Sequence, residues 1–568
     1  MSSPWSFLDV ICGPKKTRPE FEDIIDADAA RLSKVGLAAY EVLRTQYEEH
    51  HLSLWNVTTG KIVGDIHQTP KVNWPETHED PPADNDLWFP DKLGEIIRRT
   101  ESWCDLMSLG PPDGLFMTRI NEALVALHEK AASNGEEITI RMMFGNIIGM
   151  PVNCNKVIKS LTKGIPKDTN IRLWVGAWRR GVSWNHAKII AVDGRYLHTG
   201  GHNLWHAHYL KNDPVHDLSL EMEGKVAYDG HTYCNKQWAF IEHHQSSYLG
   251  WFIDKLPDGL PMLVRTRVTV SEFPKSVATE YPPVYSTDLT PKYDEPESVV
   301  PIISLGRYGE IYRTHRPSDD AIVAMLDSAE NIIHFALQDI GPVCIPGTKI
   351  ALPGCTWPKH YLDALARVMW LKGVDVEILL SNPGSVPGNL SGTEACYGNG
   401  WSCADVASEL IKRIRAQFPD AKDDDLRKKV EENLRICFIK HQFGSTFSGG
   451  QTVGMHAKHF IIDDKCSYIG SQNLYVCDLA EWGVVIDHEE QTKRIMAEYW
   501  SPMWDASFKG IDCDVNDVMD GLDIDRDGED PATASEETKR MMVLANGVVS
   551  GNKEYYTTEE EQDKSIEE

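Results

Sequence analysis

The chain has 568 residues, 42% hydrophobic and 25% charged, with 17 Trp and a formal net charge of −28. That length exceeds what one core fills, ~250–300 residues, and predicts two or more domains. An acidic body with no stripe of Lys and Arg disfavours nucleic acid as a partner, and no apolar run approaches the ~18–20 residues of a spanning helix.

Taken in chain order, the N-terminus MSSPWSFLDVICGPKKTRPEFEDI puts its lysines after the short apolar stretch and then turns acidic, the wrong order for a secretory signal. The expectation is a cytoplasmic protein that contacts membranes peripherally. Residues 1–50 form an N-terminal extension, with a leading helix over Asp23–Tyr47. A first half spans 51–284. It opens with an apolar run at Trp103–Leu109, then the turn PPDG, the amphipathic INEALVALHEK and the strand-like ITIRMMFG. The Pro-rich stretch at 285–301 reads as a linker. In the second half, 302–510, the same order recurs as NIIHFALQDIG, HYLDALARVMWLKG and VDVEILLSN. An exposed helix is expected at Phe418–Asn433, inside a long insertion. After Gly510 come 18 acidic against 5 basic residues, so 511–568 reads as an acidic disordered tail. Asp523–Gly528 resembles the start of an EF-hand loop, but its twelfth position is Ala534, and a solvated acidic run is the reading kept. The 12 Cys hold no CxxC pair. Cys344/Cys355 and Cys396/Cys403 could close loops in an oxidising compartment, with reduced thiols the default.

One passage is written twice. HAKIIAVDGRYLHTGGHN runs from His186 to Asn203 and HAKHFIIDDKCSYIGSQN from His456 to Asn473. Each has His, Lys two positions on, Asp five further, and Gly-x-x-Asn ending 17 residues after the His. His186 and Lys188 share a face of an extended chain, as do His456 and Lys458. Asp193 and Asp463 sit in hairpin turns and are expected to fix geometry rather than touch ligand. Two Lys with Asn203 and Asn473 suit the non-bridging oxygens of a phosphate and the charge of its transition state. One neutral imidazole can attack phosphorus while the other protonates the leaving alkoxide. Asp217 and Glu481, each in the strand after a motif, are candidates for the carboxylates on the far ring nitrogens. The Lys supply the cations, so no metal or other cofactor is required.

The paired motif resembles that of the phospholipase D superfamily of HKD type. The likeness extends over SWNHAKIIAVDG, TGGHNLWHAHYL, PVHDLSLEMEGKVA, ALQDIG, HAKHFIIDD, YIGSQNLY and LAEWG, and is greatest to the compact secreted bacterial phospholipases D. It implies an α/β fold of two related α-β-α sandwich halves, each with a mixed β-sheet, about a pseudo-two-fold with the active site between them. It implies His186 as nucleophile and His456 as acid/base, acting on phosphatidylcholine-like lipids through a phosphohistidine, with hydrolysis or headgroup exchange. Trp205 and Tyr209 match aromatic positions of its headgroup pocket, their faces suiting a quaternary ammonium, and Gln338, Tyr397 and Trp401 are further candidate substrate-binding residues. Glu481 departs from the usual Asp, and Gly201 stands where many members have Ser. The implied partner is phospholipid at a membrane or micelle surface, met by a monomer. The alternatives are a phosphatidyl-transfer synthase, a phosphodiesterase or nuclease of the same superfamily, and a non-catalytic lipid-binding module.

Overall fold

The computed structural model describes residues 29 and 31–524, apart from 71–85, 148–150, 182, 211–213, 247–265, 275–298, 310–315, 344–349, 352–354, 384, 386–398, 443, 448–449 and 476–478. The chain enters through β1 (Trp55–Ile62) and β2 (His67–Thr69). It then lays down β3 (Trp103–Ser108), β4 (Ile138–Gly145), β5 (Ile171–Arg180), β6 (Ser183–Trp184), β7 (Ile189–Val192), β8 (Tyr196–Gly200), β9 (Asp217–Glu223) and β10 (Arg267–Phe273). The later strands are β11 (Val300–Tyr308), β12 (Ile332–Leu337), β13 (Asp375–Leu380), β14 (Leu434–Phe438), β15 (Lys458–Ile462), β16 (Cys466–Gly470) and β17 (Ala480–Ile486).

The first sheet runs β2–β9–β8–β7–β3–β4–β5–β10, with β3, β4 and β5 parallel and the other neighbours antiparallel. The second runs β11–β17–β16–β15–β12–β13–β14, with β12, β13 and β14 parallel. From β9 to β5 and from β17 to β14 the two match strand for strand, so the chain is two related α/β halves with mixed sheets. Strand β1 belongs to both: Trp55–Gly60 pair with β11, and Lys61 and Ile62 with β9.

Parallel strands covered on both faces read as unbroken apolar runs, and ITIRMMFG of β4 is buried throughout. Helices Trp88–Arg98, Gly114–Asn134 and Cys154–Leu161 cover the outer face of the first sheet. Helices Lys34–Gln46, Pro317–Ser328, Lys359–Lys372 and Cys403–Gln417 cover that of the second. Between the sheets a shared layer holds helix Val226–Ser246 and the helical run from Glu489 to Ser507, packed around Trp178, Trp482 and Trp500. The helices Gly114–Asn134 and Lys359–Lys372 occupy equivalent places. Each ends on a left-handed residue, Gly135 (φ 72°) and Gly373 (φ 69°), a conformation that costs glycine little.

Three expectations are corrected. The leading helix begins at Lys34, where the Ser33 hydroxyl caps the Gly36 amide; residues 23–28 lie outside the described residues. The insertion helix is Asp423–Asn433, and it is not simply exposed, since Leu426, Arg427 and Val430 are buried. The reason is the third correction: the tail does not lose order at Ile511. Helix Val515–Asp520 packs there, burying Val518, Met519 and Ile524 in the second half's outer core, and Arg427 pairs with Asp520. Three apolar side chains and one partly buried ion pair anchor an acidic stretch whose average composition hides them. Residues 525–568, most of the EF-hand-like stretch and most of the linker lie outside the described residues. Among the described residues no helix is long and apolar enough to cross a membrane.

Candidate active site

Each motif histidine sits on an extended segment just ahead of β7 or β15, and each segment is docked on the opposite half. The His186 amide donates to the Ala480 carbonyl (2.7 Å) and the His456 amide to the His216 carbonyl (2.8 Å). Parallel bridges Asn185–Ala480 and His216–Met455 complete this reciprocal seam. The hairpins that follow are pinned from behind. Asp193 accepts from the amides of Glu101, Ser102 and Trp103, and Asp463 from those of Glu330, Asn331 and Ile332. Each Asp thus ties its hairpin turn to the chain leading into β3 or β12.

The seam brings the two imidazoles together, with ring centroids 6.1 Å apart and planes at 76°. It also crosses the carboxylates. Glu481 follows Ala480, and its Oε1 lies 2.8 Å from Nδ1 of His186. Asp217 follows His216, and its Oδ2 lies 2.9 Å from Nδ1 of His456. Each histidine is thus backed by the other half's carboxylate, a pairing that spacing within one motif does not reveal.

Lys188 Nζ donates to the His186 carbonyl at 2.7 Å. Lys458 Nζ donates to the His456 carbonyl and, at 3.2 Å, to Oε1 of Gln338. All four side chains are buried. Burial and the neighbouring Lys188 push His186 down to about 4, and burial and Lys458 push His456 well below its ordinary value. Burial also lowers Lys188 strongly and brings Lys458 to about 7. This is a pocket of crowded basic groups, whose charged forms an anion would stabilise. Asn203 is fully buried and neither atom of its side-chain amide has a partner among the described residues, whereas Nδ2 of Asn473 donates to Oε1 of Glu481 at 3.3 Å. Such orphaned groups are costly unless a ligand meets them. Among the described residues no group of three or more His, Cys, Asp or Glu is arranged to hold a metal ion.

The expected substrate residues fare unevenly. Tyr209 is fully buried, and its hydroxyl donates to Oδ2 of Asp217 at 2.9 Å and accepts from the Asn203 main-chain amide at 3.0 Å. Gln338 holds Lys458. Trp205 is half-buried beside Gly110 and His208, the His208 ring 4.8 Å from its own. Trp401 donates to the Pro342 carbonyl at 2.7 Å and packs on Trp357. Tyr397 lies outside the described residues. Residues that the sequence did not single out complete the site. Arg307 pairs with Glu481 and, at 3.0 Å, with Asp319. Arg307 lies 174 positions from Glu481, so no local pattern marks it. The absence of a side chain at Gly201 has a cause: a Cβ there would stand 2.0 Å from Oδ1 of Asp217. At the matching position Ser471 fits, donating to the Trp482 carbonyl at 3.1 Å.

No family model matches the chain. A curated phospholipase D of Streptomyces antibioticus is 23% identical over 443 residues, covering 73% of this chain and 76% of that protein. Among solved structures, a phosphatidylserine synthase of Haemophilus influenzae aligns with 83% of this chain and 91% of its own, at 11% identity and a TM-score of 0.43. Nuc of Salmonella typhimurium, a phospholipase D family member, aligns with 36% of this chain and 97% of its own, at 15% identity and a TM-score of 0.21.

Proposed function

We propose that this chain is a phosphodiesterase of the phospholipase D superfamily, which cleaves the distal phosphodiester of phosphatidylcholine-like glycerophospholipids through a phosphohistidine. The observation that carries the reading is the pair of imidazoles 6.1 Å apart, each backed on Nδ1 by a carboxylate of the other half. With Nδ1 so engaged, Nε2 is the ring nitrogen that does chemistry.

The phosphodiester enters as an anion between Lys188, Lys458, Asn203 and Asn473, which take its non-bridging oxygens. Its charge also favours protonation of one imidazole. The Nε2 lone pair of His186 attacks phosphorus, the P–O bond to the headgroup breaks, and His456 gives its Nε2 proton to the departing oxygen. A phosphatidyl-His186 remains. Water then attacks phosphorus, its proton passes to His456, the P–N bond breaks, and phosphatidate leaves. An alcohol in place of water gives headgroup exchange from the same intermediate, which keeps the phosphatidyl-transfer reading as the second one. The substrate is met at a membrane or micelle surface, and no nucleic acid is involved.

The test is incubation with phosphatidylcholine vesicles and ethanol, without added metal, reading free choline and phosphatidylethanol. Wild type is expected to release both. His186→Ala and His456→Ala are each expected to lose about a thousandfold or more, since each deletes a whole chemical role. Equal choline release by wild type and both variants would overturn the reading.

A further inference from the structure

We infer that Arg307 is a positioning residue that acts through Glu481, making the two histidine–carboxylate pairs unequal so that His186 attacks and His456 carries the proton. This rests on the phosphohistidine reading above and deepens it.

The asymmetry is built into the strand register. On β11, Arg307 stands directly across from Glu481 of β17. In the first half the residue directly across from Asp217 of β9 is Thr69 of β2. A cation therefore faces one catalytic carboxylate, and a neutral hydroxyl residue occupies the matching place beside the other. Thr69 turns its hydroxyl to Nε2 of His202 at 2.7 Å. Asp217 is held by neutral donors, the Tyr209 hydroxyl at 2.9 Å and the Leu218 amide at 2.8 Å.

The Arg307 guanidinium is buried. It spans Glu481, the Asn473 carbonyl at 3.1 Å and Asp319 at 3.0 Å, and Asp319 is in turn fixed by the Tyr361 hydroxyl at 2.6 Å. Glu481 is one methylene longer than Asp217, and this clamp at its second oxygen limits where the first can point. Burial pushes the Glu481 carboxyl up, but Arg307 and then His186 outweigh it and hold it below its ordinary value. A carboxylate already neutralised by a guanidinium stabilises an imidazolium less than one held by neutral donors. Arg307 therefore reduces what Glu481 can give to a protonated His186, which favours the neutral, attacking form of that ring. The titratable groups facing His186 are Glu481, Lys188, Lys458 and His456; those facing Glu481 include Arg307, Tyr233 and Tyr468.

The test compares Arg307→Lys and Arg307→Met on phosphatidylcholine vesicles. Because Arg307→Met strands two buried carboxylates, the double variant Arg307→Met/Asp319→Asn is measured beside it, with circular dichroism to confirm folding. For the folded Met variants, kcat is expected to fall about a hundredfold, the scale of a misplaced reacting group, with KM within about threefold. The acid limb of the kcat–pH profile, where His186 takes up a proton, is expected to move up by about one pH unit, because a cation near that ring is lost. Arg307→Lys is expected to restore most of kcat and the wild-type pH profile. Acid-stable mapping of the trapped intermediate is replaced by rapid quench at alkaline pH, since phosphohistidine is acid-labile, and the phosphatidyl group is expected on His186. Folded Met variants with unchanged kcat or an unmoved acid limb would overturn the inference, as would no rescue by Lys or an intermediate on His456. A wild type that releases no choline would fault the proposed function instead.

Discussion

At the scale of single residues, the site depends on small side chains as much as on charged ones. Gly201 leaves the space that Oδ1 of Asp217 fills, and Gly201→Ala would drive a methyl to 2.0 Å from that oxygen. Asp217 must then move away from His456, and kcat for choline release is expected to fall about a hundredfold with the fold intact. An undiminished kcat would show that Asp217 has another way to reach the ring. Tyr209→Phe removes the hydroxyl that Asp217 accepts from and leaves a buried carboxylate oxygen with one donor fewer. The expected cost is about 1–3 kcal/mol of stability, read as a lower Tm in thermal denaturation. The His, Lys and Asn of both motifs are legible in the sequence because chemistry repeats them at fixed spacing. Tyr209, Thr69 and Arg307 are not, because each acts across strands whose pairing only the fold decides. Aromatic character pointed Tyr209 toward ligand, whereas its hydroxyl found a buried carboxylate.

At the scale of elements, both hairpins and the parallel strands follow from apolar runs and turn residues. The matched β7–β8 and β15–β16 hairpins close on left-handed Asp193-Gly194 and Asp463-Asp464 turns. Helix Val515–Asp520 is not legible in the sequence because a dense acidic background masks Val518, Met519 and the following Ile524. Its role gives a prediction. Ending the chain after Gly510 removes those three buried side chains and the Asp520 partner of Arg427, on the order of 5 kcal/mol of apolar burial. A markedly lower Tm is expected. Ending it after Ile524 keeps these contacts and is expected to leave Tm near that of the full chain. Equal Tm values for the two truncations would refute an anchoring role.

At the scale of the whole molecule, buried imidazoles set the response to acid. Burial holds His67, His186, His216 and His459 down to about 4 and His202 down to about 3. In the unfolded chain they titrate near ~6.5. Below that pH the unfolded state binds more protons, so their contribution is full above about 6.5 and is lost as pH falls toward 4. Burial raises Asp229 to about 7 and Asp339 to about 6, and these two carboxyls work in the opposite sense. The five rings outnumber them, and Tm is expected to be lower at pH 5 than at pH 7 in buffers of equal ionic strength. A Tm that holds or rises on acidification would mean that those rings are charged in the native state.

The strand β1 gives the two halves an unequal dependence on each other. The segment that seals the open edge of the second sheet is made before the first sheet begins. The second half is therefore not a self-sufficient fragment: residues from 300 onward, produced alone, would display β11 as a naked, sticky border. Mixed with the earlier piece, the same fragment would regain its seal and, with it, both imidazoles. Complementation by two separately expressed polypeptides, nicked between β10 and β11, is the behaviour this shared strand builds in.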